Sequence, residues 1–156
     1  MGSELNMVEI DLEAYKSMEV MECGPFEIKK EDVLTFCRNT GDTEPLCTDE
    51  EAARSGPYGV LVAPHMFPYT MGVIALPRVK VLSGFELFGG IELEYFEPLK
   101  VGDVVRARCY IKDINRKQGR SGEMIFVSRE AEVKNQEERT ALFIRQRMVV
   151  LDRKVT

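Results

Sequence analysis

From Val105 onward the chain alternates, with Val105, Ala107, Cys109 and Ile111 separated by Arg106, Arg108, Tyr110 and Lys112. A period of two puts one set on each face of a strand, so this stretch reads as a strand with one buried and one wet face. Residues 124–134 and 140–151 read as two further long strands, joined by the polar turn Asn135-Gln136-Glu137-Glu138. Lys117-Gln118-Gly119-Arg120-Ser121-Gly122 supplies a hairpin connection, and residues 92–96 alternate before a turn over residues 97–103. An antiparallel meander of this kind must cover its apolar face with another layer.

The candidate cover is the most apolar part of the chain, residues 59–76. Pro64 suits the first turn of a helix and Pro68 lies within a turn of it; from there Phe67, Met71, Ile74 and Ala75 recur at helical spacing. A helix this apolar all round is a buried one. Upstream, residues 9–20 carry weak signals of a short helix or an extended lead-in. Pro25 breaks the pattern, and Phe26-Glu27-Ile28 reads as a short strand. Residues 30–39 follow a helical period, with Val33, Leu34 and Cys37 as the inward stripe and Phe36 beside it. Gly41 and Pro45 stop that helix. Thr48-Asp49-Glu50-Glu51 opens a second, with Thr48 suited to the N-cap, and it ends near Ser55-Gly56-Pro57. Helices first, one buried helix, then a meander predict an α+β domain whose antiparallel sheet wraps a central helix of about residues 64–76.

Composition narrows the function. The chain has 156 residues, is 44% hydrophobic and carries a formal net charge of −5 with dispersed basic residues, so a packed single domain is expected and a nucleic-acid surface is not. No apolar run approaches the roughly 20 residues that span a bilayer. The four cysteines (Cys23, Cys37, Cys47, Cys109) form no Cys-x-x-Cys pair and His65 is the single histidine, so no metal site is expected. Residues 1–11 are acidic and lack the pattern of a signal peptide, which with reduced thiols predicts a cytoplasmic protein. Met1-Gly2-Ser3 has the form of an expression-tag remnant and stays outside the fold argument.

Two stretches carry a family likeness. One is Gly41-Asp42-Thr43-Glu44-Pro45-Leu46-Cys47-Thr48-Asp49, followed by Ala52, Gly59 and Ala63-Pro64-His65-Met66; the other is Tyr95-Phe96-Glu97-Pro98-Leu99-Lys100-Val101-Gly102-Asp103. Together with the meander they resemble the MaoC-like (R)-specific enoyl-CoA hydratases and 3-hydroxyacyl dehydratases. Those proteins read Gly-Asp-x-Asn-Pro-x-His-x-Asp and Ala-His-Gly-Met in the first region, and Phe-x-x-Pro-Val-x-x-Gly-Asp in the second. Ala63-Pro64 in place of Ala-His, and the Gln146-Arg147-x-x-x-Leu151 ending, look closer to the N-terminal-type dehydratase half, a branch in which catalytic and non-catalytic hot dogs pair. The resemblance covers residues 20–151. It implies a single hot-dog domain over residues 20–156 behind an extension of residues 1–19.

The resemblance also implies a chemistry. Hydrating a trans-2-enoyl thioester needs a base for water, an acid for Cα and donors at the thioester oxygen. The family supplies an Asp and a His five residues later, with backbone N–H groups at the start of the buried helix as oxyanion donors. By position Asp42 matches the aspartate, Cys47 stands where the histidine is kept, Glu44 replaces the usual Asn, and Ala63-Pro64-His65 replaces Ala-His-Gly. A thiol with an ordinary pKa of about 8.5 is mostly protonated where an imidazole near 6.5 is poised to exchange protons. Pro64 has no N–H, whereas His65 and Met66 do.

The candidate catalytic residues are therefore Asp42, Cys47 and His65, and the candidate substrate contacts are Glu44, Gly59, Pro64, Met66 and Phe67. Each has a bland alternative. Asp42 suits a turn-fixing Asp. Cys47 is either a replacement nucleophile or acid/base, or a small buried hydrophobe. His65 is either a displaced base or a packed, pocket-lining histidine. Met66, Phe67, Tyr69, Thr70 and Met71 line an acyl tunnel or simply the core. Arg106, Arg108, Arg116, Lys117 and Arg120 meet a carrier phosphate or form the wet face of the meander.

The resulting expectation is a subunit of an enoyl-thioester hydratase or 3-hydroxyacyl dehydratase that pairs with a catalytically complete hot-dog partner and shapes its acyl pocket. Three alternatives stand beside it: a self-sufficient homodimer using Asp42 with His65 or Glu44, a thioesterase, and a non-catalytic acyl-CoA or acyl-carrier binding module. The partners implied are an acyl-CoA or acyl-carrier-protein thioester and a second hot dog, as homodimer or heterodimer, because pairing covers the exposed sheet edge and sheet face. No cofactor is expected beyond the CoA or phosphopantetheine carried by the substrate.

Overall fold

The computed structural model describes residues 20–70, 85–120 and 122–151. Five strands form one antiparallel sheet: β1 (Met21–Glu27), β2 (Phe85–Tyr95), β3 (Val104–Gly119), β4 (Gly122–Lys134) and β5 (Thr140–Leu151), in the order β1-β3-β4-β5-β2. Among the described residues, four helices precede the meander: α1 (Lys30–Thr40), α2 (Pro45–Thr48), α3 (Glu50–Ser55) and α4 (Phe67–Thr70). This is the α+β hot-dog architecture expected from the sequence.

The period of two decides which face is buried. Val105, Ala107 and Cys109 on β3 face inward with Ala131 and Val133 on β4 and Leu142 and Ile144 on β5, while Arg106 and Arg108 stay exposed. A bulge between Ile111 and Asp113 shifts the register, so Ile114 rather than Lys112 or Asp113 takes the next buried position. Such a shift moves every following side chain to the other face, which period counting along one strand does not reveal. The β3–β4 connection is tighter than expected, because Gly119 already pairs with Gly122.

Pro25 does not end the first strand. It lies inside β1, an edge strand, where a missing N–H costs no ladder bond, and the pairing with β3 shifts between Cys23 and Phe26. Gly24 beside it has φ 106°, and a Cβ there would meet the Val105 carbonyl oxygen at 2.9 Å.

The helix starts also differ from expectation. Thr48 does not cap α3. Asp49 does, its carboxylate accepting the Glu51 and Ala52 N–H groups at 2.9 and 3.1 Å. Thr48 instead ends α2, a separate turn opened by Pro45 and capped by Glu44, and its hydroxyl donates to the Glu44 carbonyl at 2.9 Å. Pro45 starts a turn that ordinary cap patterns assign to a loop. In α4 the Phe67 N–H donates to the Pro64 carbonyl at 2.9 Å, so Pro64 sits in the turn ahead of the helix and Pro68 within it. The remainder of the expected buried helix, with Met71, Ile74 and Ala75, lies outside the described residues, as does the lead-in before Val20.

The inner sheet face carries two apolar clusters. One, beneath the helices, includes Ile28, Val33, Cys37, Cys47, Phe67, Leu99, Val105 and Leu142; the other, toward the β3–β4 hairpin, is Ile114, Ile125, Val127, Met148 and Val150. Each fully buried Val, Leu or Ile contributes about 1.5–3 kcal/mol relative to exposure. Buried Arg129 and Gln146 lie on the same face of β4 and β5, and the Gln146 amide donates to the Tyr69 hydroxyl at 3.2 Å, tying α4 to the sheet.

Candidate functional site

Gly41 ends α1 in the left-handed region with φ 72°, which lets the chain reverse over the last turn; the Asp42 N–H then reaches the Cys37 carbonyl at 2.9 Å. The Asp42 carboxylate accepts the Glu44 N–H at 3.0 Å, the side-chain-to-backbone turn an Asp makes readily. That turn presents Glu44 as the cap of α2 and sends Cys47 inward, where it is 5% exposed.

The opposite wall is stitched by backbone bonds. Val62 bridges to Lys100, the Ala63 N–H donates to the Leu99 carbonyl at 2.8 Å, and the Val62 N–H donates to the Leu46 carbonyl at 3.0 Å. These bonds bring residues 61–66 between α2 and the loop after β2. His65 emerges exposed at the turn before α4, where its carbonyl accepts the Tyr95 hydroxyl and its ring meets the Tyr95 ring edge-on at 5.0 Å. Below that loop Asp103 is buried, accepting the Lys100 N–H at 2.8 Å and the Gln136 amide at 3.0 Å.

Between the walls lies a cleft of about 550 Å³ lined by Asp42, Glu44, Cys47 and His65 together with Tyr58 and the run from Tyr95 to Leu99. Burial, then the negative charge of Asp42, then Cys37 and Glu44 push the Cys47 thiol up to about 11. Cys37, whose Sγ lies 3.9 Å from the Cys47 carbonyl oxygen, is raised by burial and by Asp42. Burial also raises the Tyr95 phenol. At neutral pH all three groups are therefore uncharged. A thiol held protonated is a poor nucleophile and a poor proton acceptor.

Of the candidate catalytic and substrate-contact residues, the fold brings Asp42, Glu44, Cys47 and His65 to one cleft and leaves Gly59, Pro64, Met66 and Phe67 outside it. Gly59 lines a separate depression of about 140 Å³ with Lys30, Glu50 and Arg54. Pro64 is buried in its turn, Met66 is exposed, and Phe67 is buried with its ring edge-on to Phe36 at 5.7 Å. Arg106 and Arg108 line another depression with Glu22 and Glu132, Arg116 pairs with Glu123 at 3.6 Å, and Lys117 sits 5.2 Å over the Phe126 ring, all away from the cleft. Sequence reasoning did not name Tyr58, Tyr95, Phe96 or Glu97 as cleft residues. The last three lie in the second motif, where aromatic residues just before a Pro-containing turn were the available signal. Among the described residues no group of three or more His, Cys, Asp or Glu is placed to hold a metal ion, and no helix is long and apolar enough to cross a membrane.

Comparison with known proteins places this geometry. A "UPF0336 protein" of Thermobifida fusca is 29% identical over 101 residues, 61% of this chain and 66% of its own length, so the chain spans just under two thirds of that relative. A "3-hydroxybutyryl-CoA dehydratase" of Methylorubrum extorquens is 28% identical over 89 residues, 56% of this chain and 55% of that protein. The truncated HadBC (3R-hydroxyacyl-ACP dehydratase) complex of Mycobacterium tuberculosis contains a chain that superimposes with a TM-score of 0.71 at 19% identity, covering 86% of this chain and 98% of that one, a likeness of fold. Residues 16–142 match the family described as the FAS1-like dehydratase domain region, and the chain belongs to that family of MaoC-like hot-dog domains.

Proposed function

We propose that this chain is a subunit of an enoyl-thioester hydratase, equivalently a 3-hydroxyacyl dehydratase, that works beside a catalytically complete hot-dog partner. The carrying observation is the state of the cleft. It sits where the family motifs converge, yet Cys47 stands in the histidine's place, buried and protonated, and Asp42 spends one carboxylate oxygen on a turn. Hydration places a hydroxyl on Cβ and a proton on Cα, and one group must take the water's proton. A thiol pushed up to about 11 does not take it at neutral pH. The existence of a two-component dehydratase complex on the same fold supports the pairing, and β2 stands at the edge of the sheet where another chain can add.

The test is loss of enoyl absorbance from crotonyl-CoA and longer enoyl-CoAs, with the purified chain alone and then with a hot dog encoded beside it. No turnover alone and turnover of the pair is the expected result. Strong activity of the chain alone overturns the subunit reading.

One observation favours a second reading, a self-sufficient homodimer. His65 shares the cleft with Asp42 and Glu44 and is exposed. Under that reading Asp42→Asn and His65→Ala each lower kcat sharply, and unchanged rates end it.

A further inference from the structure

The cleft has a one-sided charge. Three carboxylates line it, Asp42 and Glu44 on the helix wall and Glu97 on the loop wall, and among the described residues that line it none is Lys or Arg. Arg139 partly offsets Glu97, pairing with it at 2.9 Å, but it also pairs with Glu137 at 2.8 Å. Among the described lining residues the basic side chain is the His65 imidazole. The rest of the lining is neutral and largely aromatic or aliphatic, with Tyr58 and Phe96 both well exposed.

From this lining we infer that the cleft is selective against anions: it takes a neutral acyl thioester and rejects an acyl group that carries its own carboxylate, with Asp42, Glu44 and Glu97 setting the preference. The inference rests on the thioester reading above and names the substrate class of the same site. Within a site partly shielded from water, a unit charge a few ångströms from a carboxylate meets repulsion several times that in bulk solvent. The Cys47 thiol already senses this field, since Asp42 and Glu44 both oppose its ionisation. Only the neutral part of a carrier enters, namely the acyl group, the thioester and the amide-bearing arm. The phosphates of a CoA or phosphopantetheine stay outside the cleft. The aromatic side chains of Tyr58 and Phe96 suit such a neutral, amide-rich arm.

The experiment compares the crotonyl and glutaconyl thioesters of N-acetylcysteamine, which differ by a terminal carboxylate, binding to the full chain by calorimetry. The neutral thioester is expected to bind at least about tenfold more tightly at low salt. The gap should narrow toward 1 M salt, where the Debye length falls to about 3 Å. Glu97→Gln, which removes a carboxylate from the lining and leaves Arg139 paired with Glu137 alone, should narrow it as well. Equal affinity for the two thioesters overturns the anion rule alone, as does a gap that neither salt nor Glu97→Gln changes. Failure of the neutral thioester to bind overturns the anion rule for this cleft, whereas the thioester reading itself falls only if the pair with its hot-dog partner also fails to turn over enoyl-CoA.

Discussion

The two walls of the cleft differ in what their residues do. The loop wall, from Tyr95 to Asp103, keeps the residues whose work is mechanical. Asp103 is buried and holds the Lys100 N–H and the Gln136 amide, and Leu99 is 1% exposed beneath the loop. The helix wall, from Gly41 to Asp49, keeps its turn-forming residues, Gly41, Asp42, Pro45 and Asp49, while its would-be proton acceptor is a protonated cysteine. Residues that fold the walls are present on both sides, whereas the departures from the family motif fall at Glu44, Cys47 and Pro64-His65. The walls can therefore fold with a cysteine at that position, because turn and core interactions do not depend on the acid/base group they position.

That contrast can be broken in four places. Asp103→Ala should have the largest effect. It strips two hydrogen bonds from a buried carboxylate and leaves their donors unpaired, costing about 3 kcal/mol by urea denaturation. A loss under about 1 kcal/mol would show that the loop wall is not held as described.

Alkaline titration should come next. Burial and the nearby carboxylates raise Cys47 from its ordinary thiol value to about 11, so its contribution is complete below that ordinary value and is lost as pH rises through 11. About 2 kcal/mol of stability should disappear over that window on this account. Cys47→Ala should flatten the slope, leaving the part due to the other groups that burial raises, Cys37, Tyr95, Tyr110 and Cys109. An unchanged slope would mean that Cys47 is not held protonated by the fold.

Tyr95→Phe removes the hydroxyl that the His65 carbonyl accepts and should cost about 1 kcal/mol. It should also loosen the segment around His65, read as faster amide exchange at residues 65 and 66. Identical exchange rates would uncouple the loop wall from His65.

Asp42→Asn should be the smallest. The amide oxygen still accepts the Glu44 N–H, so stability should stay within about 0.5 kcal/mol. Under the proposed pairing, a large fall in turnover on Asp42→Asn is then chemical rather than structural, and would return Asp42 to the catalytic set.

Much of this was legible in the sequence. The alternation of Val105, Ala107 and Cys109 fixed the buried face of β3, since one face of a strand must be dry and the other wet. Gly41 marked the end of α1 because only a residue tolerant of positive φ reverses the chain there without strain. The motif spacing placed Asp42, Glu44 and Cys47 on one short stretch, whereas His65 joins them in the cleft through the bonds that tie residues 62 and 63 to Leu46 and Leu99. The bulge after Ile111 was not legible, because register belongs to a pair of strands and not to one. Nor was the shift of the α3 cap from Thr48 to Asp49, which turns on Pro45 having already opened a separate turn.

Sequence alone thus determined the layer order and the identity of the residue in the histidine's place. Tertiary structure alone decided what that residue can do. Local sequence carries backbone preference and hydrophobic period, but a pKa depends on burial and on charges brought near from elsewhere in the chain. Cys47 is raised by packing among α1, α2 and the sheet and by the carboxylates that the Asp42 turn places beside it. The acidic character of the cleft has the same origin, because Glu97 reaches the site of Asp42 and Glu44 only through the bonds that join residues 61–63 to Leu99 and Lys100.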